Sequence, residues 1–212
     1  MPSKRHLLSA ATLYVIVDAA VCGDRDPVAV AAEAVAGGAD IIQWRAKSWV
    51  MRRRWEVAQR LADALRQTPA LVIINDHAEL ALAVEADGVH LGQDDLPVEV
   101  ARRLVGREVL IGVSTHTEDQ ALAAQRQGAD YLGVGPIFAT PTKPEYQPMG
   151  PALLEAVSRC VTIPYVAIGG IDRTNLPLVL STGASRVAVV RAVAGARDVR
   201  GAARALKAML VG

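Results

Sequence analysis

The sequence predicts an α/β protein, a (β/α)8 TIM barrel that forms a single domain over residues 1–212. Short aliphatic runs recur eight times, Ala- and Leu-rich segments with helical spacing separate them, and glycines close several of those segments. Strands that alternate with helices build parallel sheets with right-handed crossovers, and eight such units suggest a closed barrel. The chain is slightly compact for this fold, which typically takes ~250 residues.

The predicted strands are nearly continuous in aliphatic residues, as expected for a parallel sheet covered by helices. They are LYVIV (13–17), DIIQWR (40–45), ALVII (70–74), GVHLG (88–92), LIGVS (110–114), YLGVG (131–135), YVAIG (165–169) and RVAVV (186–190). After helical segments, Gly37, Gly128 and Gly183 are expected to be left-handed C-caps. Residues 1–12 are expected to form a short N-terminal extension or helix. A doubly wound open sheet is the alternative, but no G-x-G-x-x-G motif follows the first strand.

Charge and cysteine content restrict the class of protein. The 23 basic and 22 acidic residues leave a net charge of +1, which gives no electrostatic reason to expect a nucleic-acid or membrane partner. No stretch approaches the ~18 apolar residues that a membrane span needs. Cys22 and Cys160 lie far apart, as expected of free thiols in a reducing compartment. We therefore predict a cytoplasmic protein with small-molecule partners, and whether it forms a homo-oligomer stays open.

Two successive predicted strands end in acids, Asn75-Asp76 after the third and Asp94-Asp95 after the fourth. Helix capping explains either pair separately, with Asp76 before a helix starting at His77 and Asp95 before Pro97. In a barrel, however, neighbouring strand ends share one rim, and adjacent carboxylates repel unless a cation or proton lies between them. Oxygen ligands favour Mg2+, so we interpret Asp76 and Asp95 as a Mg2+ site and Asp94 as a bystander.

Cationic and polar residues surround the predicted acid pair. Gln43, Arg45 and Lys47 alternate at the end of the second strand, which places them on one side while strand geometry lasts. A solvated basic turn is the alternative interpretation of the three.

The last three strand ends add further candidate phosphate-binding groups, from side chains and from backbone. The long loop after the sixth strand carries Thr140, Thr142 and Lys143 between prolines, and long loops in compact barrels are often functional. A plain surface loop is the alternative. The seventh and eighth strands end in Gly169-Gly170 and in Val190-Arg191, where barrels frequently hold a phosphate.

Five segments, QWRAK, IINDHAELALAVEADGVHLGQDD, GVSTHT, GADYLGVGPIFATPTKP and VAIGGI, resemble the motif series of the thiamine phosphate synthase (thiamine-phosphate pyrophosphorylase) family. The order and spacing match over roughly residues 13–195. The resemblance implies a (β/α)8 transferase. It would condense 4-amino-2-methyl-5-hydroxymethylpyrimidine diphosphate with a thiazole phosphate, 4-methyl-5-(2-phosphoethyl)thiazole, to give thiamine phosphate and diphosphate.

The resemblance also implies roles for individual residues. Contacts to the pyrimidine diphosphate fall to Gln43, Arg45, Lys47, Asn75, Ser114 and Lys143, of which Arg45, Lys47, Ser114 and Lys143 would be catalytic. Asp76 and Asp95 would hold Mg2+ against the diphosphate. The thiazole phosphate would lie at Thr140, Thr142, Gly170, Val190 and Arg191.

The implied chemistry needs no nucleophile–base pair. Diphosphate leaves readily once cations neutralise its developing charge, and the electron-rich aminopyrimidine supports positive charge on the departing methylene carbon. A dissociative step followed by capture by the thiazole nitrogen is therefore expected.

The sequence departs from the family pattern at three positions, Ala46 in place of an acid, Trp44 in place of Leu, and Arg191 in place of Ser. Two other functions stay open. A thiazole tautomerase-like paralogue would use His116 for acid–base chemistry without Mg2+, and a non-catalytic phosphate-binding barrel would turn nothing over.

Overall fold

The computed structural model describes residues 3–141 and 147–211. Within them, eight parallel strands close into a barrel in sequence order, and β1 pairs with β8. The strands are β1 (Leu13–Asp18), β2 (Ile41–Arg45), β3 (Leu71–Asn75), β4 (Gly88–Leu91), β5 (Leu110–Thr115), β6 (Tyr131–Val134), β7 (Tyr165–Ile168) and β8 (Val187–Val189). Each strand end lies within one residue of its predicted position, and the (β/α)8 prediction is confirmed.

At least one helix follows every strand, and another precedes the first. They are α1 (Lys4–Ala10), α2 (Ala19–Cys22), α3 (Pro27–Ala36), α4 (Met51–Leu65), α5 (Ala78–Ala83), α6 (Val98–Val105), α7 (Glu118–Arg126), α8 (Ala152–Cys160), α9 (Leu176–Leu180) and α10 (Val199–Val211). Helix α1 occupies most of the predicted N-terminal segment, and the Ser3 side chain caps it. In the described ranges, none of these helices has the length and apolar character of a membrane span.

The predicted glycine caps are confirmed at two of three positions. Gly128 and Gly183 have positive φ angles of 92° and 85°. The prediction is wrong at Gly37, which is right-handed with φ −87° because its N–H still bonds to the Glu33 and Ala34 carbonyls. The left-handed residue is Gly38, with φ 103°. Gly37 is instead required by close packing, since a Cβ there would lie 2.4 Å from the Arg200 carbonyl oxygen.

Strand side chains alternate between two apolar layers because successive Cβ atoms point to opposite faces. Val15 and Val17 join the layer between strands and helices, whereas Tyr14 and Ile16 join the barrel interior. Leu8 of α1 also packs in the interior layer, with 2% of its surface exposed. Its burial contributes roughly 2 kcal/mol and closes the amino end of the barrel.

Three aspartates at the amino end tie neighbouring strands together. Asp40, Asp87 and Asp130 each precede an even-numbered strand, and each exchanges two hydrogen bonds with one residue of the strand before it. The carboxylate accepts from that residue's N–H at 2.8–2.9 Å, and the aspartate N–H donates to its carbonyl at 2.7–2.9 Å. The partners are Leu13, Val72 and Ile111, in that order.

Cationic side chains form ion pairs with the same three aspartates. Lys207 bonds to Asp40 at 2.6 Å, and Lys4 lies 3.2 Å from Asp87. Arg5 and Arg102 both pair with Asp130, at 2.9 and 2.5 Å. The aspartates of this end therefore have backbone and cationic partners, which is a structural arrangement.

Candidate active site

A cavity of about 300 Å³ opens at the carboxyl end of the barrel. Every strand contributes at least one residue to its wall, from Tyr14 on β1 to Ala188 on β8. Its floor is polar on one side and aliphatic on the other, as for a site that binds an organic ring with a few oriented hydrogen bonds. In this fold the carboxyl end is where active sites are built.

Gln43 and Arg45 both reach this cavity, as the alternation along β2 predicted. Gln43 is 2% exposed and donates through Nε2 to the Tyr14 hydroxyl at 2.7 Å. Arg45 forms an ion pair with Asp18, which is 3% exposed. The other Asp18 oxygen accepts the Ala20 N–H at 2.9 Å and caps α2. Asp18 therefore holds the Arg45 guanidinium, a function for which the sequence offered only the position of an acid at a strand end.

Lys47 lies beyond the end of β2, in a turn, and its side chain does not line the main cavity. Its ammonium is 3.3 Å from Asp76 Oδ2. The structure thus places Lys47 at the carboxyl end, as predicted, but beside the acid pair rather than in line with Gln43 and Arg45.

Neither acid caps a helix, so both capping alternatives are wrong. The N-cap of α5 is His77, and Asp76 has φ 65° while its N–H bonds to the His90 carbonyl at 2.8 Å. The N-cap of α6 is Pro97, and Asp95 Oδ2 instead accepts the Gly92 N–H at 2.6 Å. The backbone of Asp76 and the side chain of Asp95 are therefore each held by neighbouring backbone groups.

The two carboxylates crowd each other. Burial raises the pKa of Asp76, and the adjacent Asp95 carboxylate raises it further, while Lys47 acts in the opposite direction. Asp94, by contrast, is exposed. In the described ranges, no group of three or more His, Cys, Asp or Glu side chains is placed to hold a metal ion. Asp76 and Asp95 are thus an oxygen-only pair of the kind that binds Mg2+ together with water and phosphate ligands.

Ser114 joins a buried polar network at the cavity floor. Its hydroxyl lies 3.0 Å from His90 Nε2, and His90 Nδ1 lies 3.0 Å from the Tyr131 hydroxyl. Tyr131 in turn lies 3.0 Å from the hydroxyl of Tyr14. Sequence reasoning missed both tyrosines. The signal was available, since each occupies an inward-facing position of an otherwise aliphatic strand.

The loops after β6, β7 and β8 form the other wall of the cavity. Thr140, Gly170, Val190 and Arg191 all line it, whereas Thr142 and Lys143 lie outside the described residues. Gly170 has φ 60°, and a Cβ there would lie 2.5 Å from the Ala139 carbonyl oxygen. Only glycine therefore lets the β7 loop approach the β6 loop this closely. Arg191 is exposed and lines the cavity.

Two of the departures from the family pattern lie away from the main cavity. Trp44 and Ala46 belong to the layer between strands and helices, and the Trp44 indole donates to the Arg54 carbonyl at 3.2 Å. Ala46 lines a second, small cavity with Arg54, whose buried Nε has no hydrogen-bond partner among the described residues. Ala46, which stands where the family has an acid, therefore lies behind the rim and not in the main cavity.

Asn75 and His116 are the remaining predicted residues that line the main cavity. Asn75 ends β3 and lines both the main cavity and the small one, so it lies between the main cavity and Asp76. His116 also lines the main cavity, and its Nδ1 bonds to the Gly135 carbonyl.

Known proteins resemble the chain over nearly its whole length. A family model described as thiamine monophosphate synthase matches residues 13–193. A thiamine-phosphate synthase from Chloroflexus aurantiacus is 50% identical over 199 residues, which are 93% of this chain and 92% of the relative. Another from Pelotomaculum thermopropionicum is 44% identical over 88% of this chain and 86% of the relative.

Solved structures agree with the sequence comparison. A thiamine phosphate pyrophosphorylase from Pyrococcus furiosus superposes with a TM-score of 0.88 at 39% identity, covering 97% of this chain and all of that one. A 3-hexulose-6-phosphate synthase superposes at 0.70 with 17% identity over 93% of this chain and 98% of that one, which shows a shared fold alone. With its cavity, its acid pair and these similarities, the chain belongs to the thiamine monophosphate synthase family.

Proposed function

We propose that this protein is a transferase that condenses 4-amino-2-methyl-5-hydroxymethylpyrimidine diphosphate with 4-methyl-5-(2-phosphoethyl)thiazole, releasing diphosphate and thiamine phosphate. The observation that carries the proposal is the arrangement of the carboxyl end. A cavity with a polar floor adjoins a rim where Arg45, Lys47 and the Asp76–Asp95 pair lie together. One end of the barrel can thus hold an aromatic ring and its diphosphate at once.

The acid pair fits Mg2+. Two carboxylates crowded at a half-buried site repel each other, and a divalent cation offsets that repulsion. Asp76 and Asp95 would hold the ion, with diphosphate oxygens and waters as its remaining ligands. When bound, Mg2+ supplies positive charge that stabilises the diphosphate as it leaves.

The chain's own cations add to that stabilisation. Asp18 fixes the Arg45 guanidinium at the cavity wall, so that its remaining N–H groups can bind the diphosphate without losing conformational freedom first. Lys47, 56% exposed and paired with Asp76, can turn to a diphosphate oxygen. Lys143 is assigned to the same role by resemblance. Charge develops on the leaving diphosphate in the transition state, where preorganised cations stabilise it most.

The second substrate fits the opposite wall. The loops after β7 and β8 offer backbone at Gly170 and Val190 and the Arg191 guanidinium for the thiazole phosphate, with Thr140 and, by resemblance, Thr142 nearby. The apolar part of the wall limits water near the departing methylene carbon, which favours capture by the thiazole nitrogen. That nitrogen carries no proton, so no general base is needed.

The test is an incubation of the purified protein with both substrates and Mg2+, with and without EDTA, that measures diphosphate and thiamine phosphate. Equal amounts of both products, lost on chelation, are expected. A proton shift within a thiazole phosphate, without Mg2+ and without release of diphosphate, would instead indicate the tautomerase, for which His116 lines the cavity. Absence of any turnover, with phosphate compounds still binding, would indicate the non-catalytic barrel.

A matched pair of variants tests the metal assignment. Asp95→Asn should weaken Mg2+-dependent turnover, whereas Asp94→Asn removes the same charge from the adjacent exposed residue and should leave turnover unchanged. If Asp95→Asn keeps full Mg2+-dependent activity, Asp95 is not a ligand. The cytoplasmic location and the single-domain assignment stay predictions from the sequence.

A further inference from the structure

One arginine outside the cavity lining joins the loops that follow the first and the last strand. Arg25 comes shortly after α2, and its guanidinium donates hydrogen bonds to four backbone carbonyls. Two of these acceptors, Val21 and Cys22, belong to α2 and lie at 3.3 and 3.2 Å. The other two, Ala194 and Ala196, belong to the loop after β8, and the Ala196 oxygen lies 2.9 Å from Nη1. Because β1 pairs with β8, this side chain bridges the point where the barrel closes.

The loop after β8 is a tight turn whose start lines the cavity. Val190, Arg191 and Ala192 are part of the cavity wall. The N–H groups of Val193 and Ala194 both donate to the Val190 carbonyl, at 3.2 and 2.8 Å. The two preceding N–H groups, those of Arg191 and Ala192, take no part in these bonds. In barrels, the loops after the last two strands frequently bind a phosphate through such backbone groups.

We infer that Arg25 is a positioning residue for a phosphate group bound by the loop after β8. It holds the carbonyls at the end of the turn against α2, so that the N–H groups at the start of the turn keep their place at the cavity wall. The identity of the ligand, the thiazole phosphate, rests on the proposed function, but the hold on the loop does not.

Packing transmits the hold from Arg25 to the start of the turn. Val193 and Ala194 are fully buried. Gly195, which follows them, lies directly against the Arg191 backbone, since a Cβ there would be 2.7 Å from the Arg191 carbonyl oxygen. A shift of the carbonyls that Arg25 binds would therefore move the Arg191 backbone as well.

The other side of the bridge is fixed to the barrel. Asp18, which ends β1 and is 3% exposed, accepts the Ala20 N–H at 2.9 Å and caps α2. The Arg25 N–H adds a bond to the Cys22 carbonyl at 3.2 Å. A guanidinium carries five N–H donors in a planar fork and can serve several carbonyls at once, whereas a lysine ammonium is a compact point charge. The geometry of the bridge therefore requires an arginine.

Steady-state kinetics of Arg25→Ala test the inference. We expect the KM for the thiazole phosphate to rise roughly tenfold, while kcat and the KM for the pyrimidine diphosphate change by no more than about twofold, because only binding of the phosphate is weakened. Arg197→Ala is the matched control, since it removes the same charge from the exposed residue after Ala196 and should leave both KM values unchanged. An equal rise in the two KM values, or the same rise in Arg197→Ala, would overturn the inference.

A ligand without the phosphate separates positioning of the loop from general damage to the site. Binding of the thiazole phosphate and of its alcohol, which lacks the phosphate, is measured by calorimetry on the unaltered protein and on Arg25→Ala. The variant should weaken only the phosphate compound, and an equal loss for both compounds would contradict the inference. Arg25→Lys keeps the charge without the planar fork and should lose nearly as much affinity as Arg25→Ala. Full affinity in Arg25→Lys would show that charge acts here and not the bridge.

Hydrogen exchange of the ligand-free, full-length protein tests the hold on the loop without any substrate. Amides of residues 190–197 should exchange faster in Arg25→Ala and in Arg25→Lys, whereas those of β3 and β4 should not change. Unchanged exchange in the loop would overturn the inference, and faster exchange with an unchanged KM would make Arg25 a structural residue alone. If Arg25→Ala does not fold, Arg25→Lys supplies both measurements. Failure of the proposed function shows differently, as absent turnover by an unaltered protein whose loop exchange depends on Arg25 as expected.

Discussion

The two ends of the barrel use aspartate in opposite ways. At the amino end, Asp40, Asp87 and Asp130 each accept a backbone N–H of the preceding strand and pair with a cation. At the carboxyl end, Asp76 and Asp95 crowd each other, and only Lys47 offsets their charge in the described part of the chain. The difference teaches that an acid with complementary partners stabilises the fold, whereas an acid held near another acid is available to a ligand.

Asp76→Asn should separate function from stability most clearly. The amide keeps the side-chain shape and the left-handed backbone, which Asn tolerates, but it removes the charge that would bind Mg2+. We expect turnover to fall at least ~100-fold, about 2.7 kcal/mol of transition-state stabilisation, with an unchanged or higher denaturation midpoint. Steady-state kinetics and urea unfolding measure both. Loss of stability with normal turnover would show that Asp76 stabilises the fold, as the amino-end aspartates do, and does not serve the reaction.

Asp130→Ala should have the opposite outcome. It removes the acceptor of the Ile111 N–H and the partner of two arginines, of which Arg102 is partly buried and Arg5 is exposed. The free energy of unfolding should fall by about 2 kcal/mol, while kcat of the folded protein stays unchanged. Asp94→Ala, an exposed aspartate, is the control and should stay within ~0.5 kcal/mol of the unaltered protein. A fall in kcat at full stability would mean that the amino end also serves catalysis.

Asp18→Asn tests an acid of the carboxyl end that has both a backbone and a cationic partner. Asn keeps the cap of α2 but weakens the hold on Arg45. We expect turnover to fall roughly tenfold through a less ordered guanidinium, with little change in stability. Arg45→Lys should cost at least as much and should not add to Asp18→Asn in the double variant. Additive effects would show that Asp18 acts independently of Arg45.

Lys4→Ala should have the smallest effect, since it removes a partly exposed cation from Asp87, 3.2 Å away, and leaves the backbone bond to Val72. The free energy of unfolding should fall by ~0.5 kcal/mol or less, and less still at high salt. A cost near that of Asp130→Ala would mean that cations, and not the backbone bonds, hold this end together.

Much of the fold could be predicted because the spacing of apolar residues and the glycines that end helices are local properties of the chain. The aliphatic runs gave strand ends to within one residue, and Gly128 and Gly183 marked helix ends correctly. The prediction failed at Gly37 because Gly38 follows it directly, so the sequence does not show which of the two adopts the left-handed conformation. The close packing of α10 against Gly37 decides this. The capping alternative for Asp76 also failed for a tertiary reason, since its N–H bonds to the neighbouring strand at His90.

The sequence by itself determined that polar side chains collect at the carboxyl ends of parallel strands, because strand order and side-chain alternation are local patterns. It therefore placed Gln43, Asp76 and Ser114 at one end of the barrel. Only the tertiary structure decided which side chains meet, since barrel closure and register bring together hydroxyls that are 117 residues apart, those of Tyr14 and Tyr131. Register between β1 and β2 likewise sets Asp18 against Arg45, whereas the meeting of Asp76 and Asp95 was already predicted from the ends of adjacent strands. Partners across a barrel depend on contacts between distant strands, and no local pattern encodes those contacts.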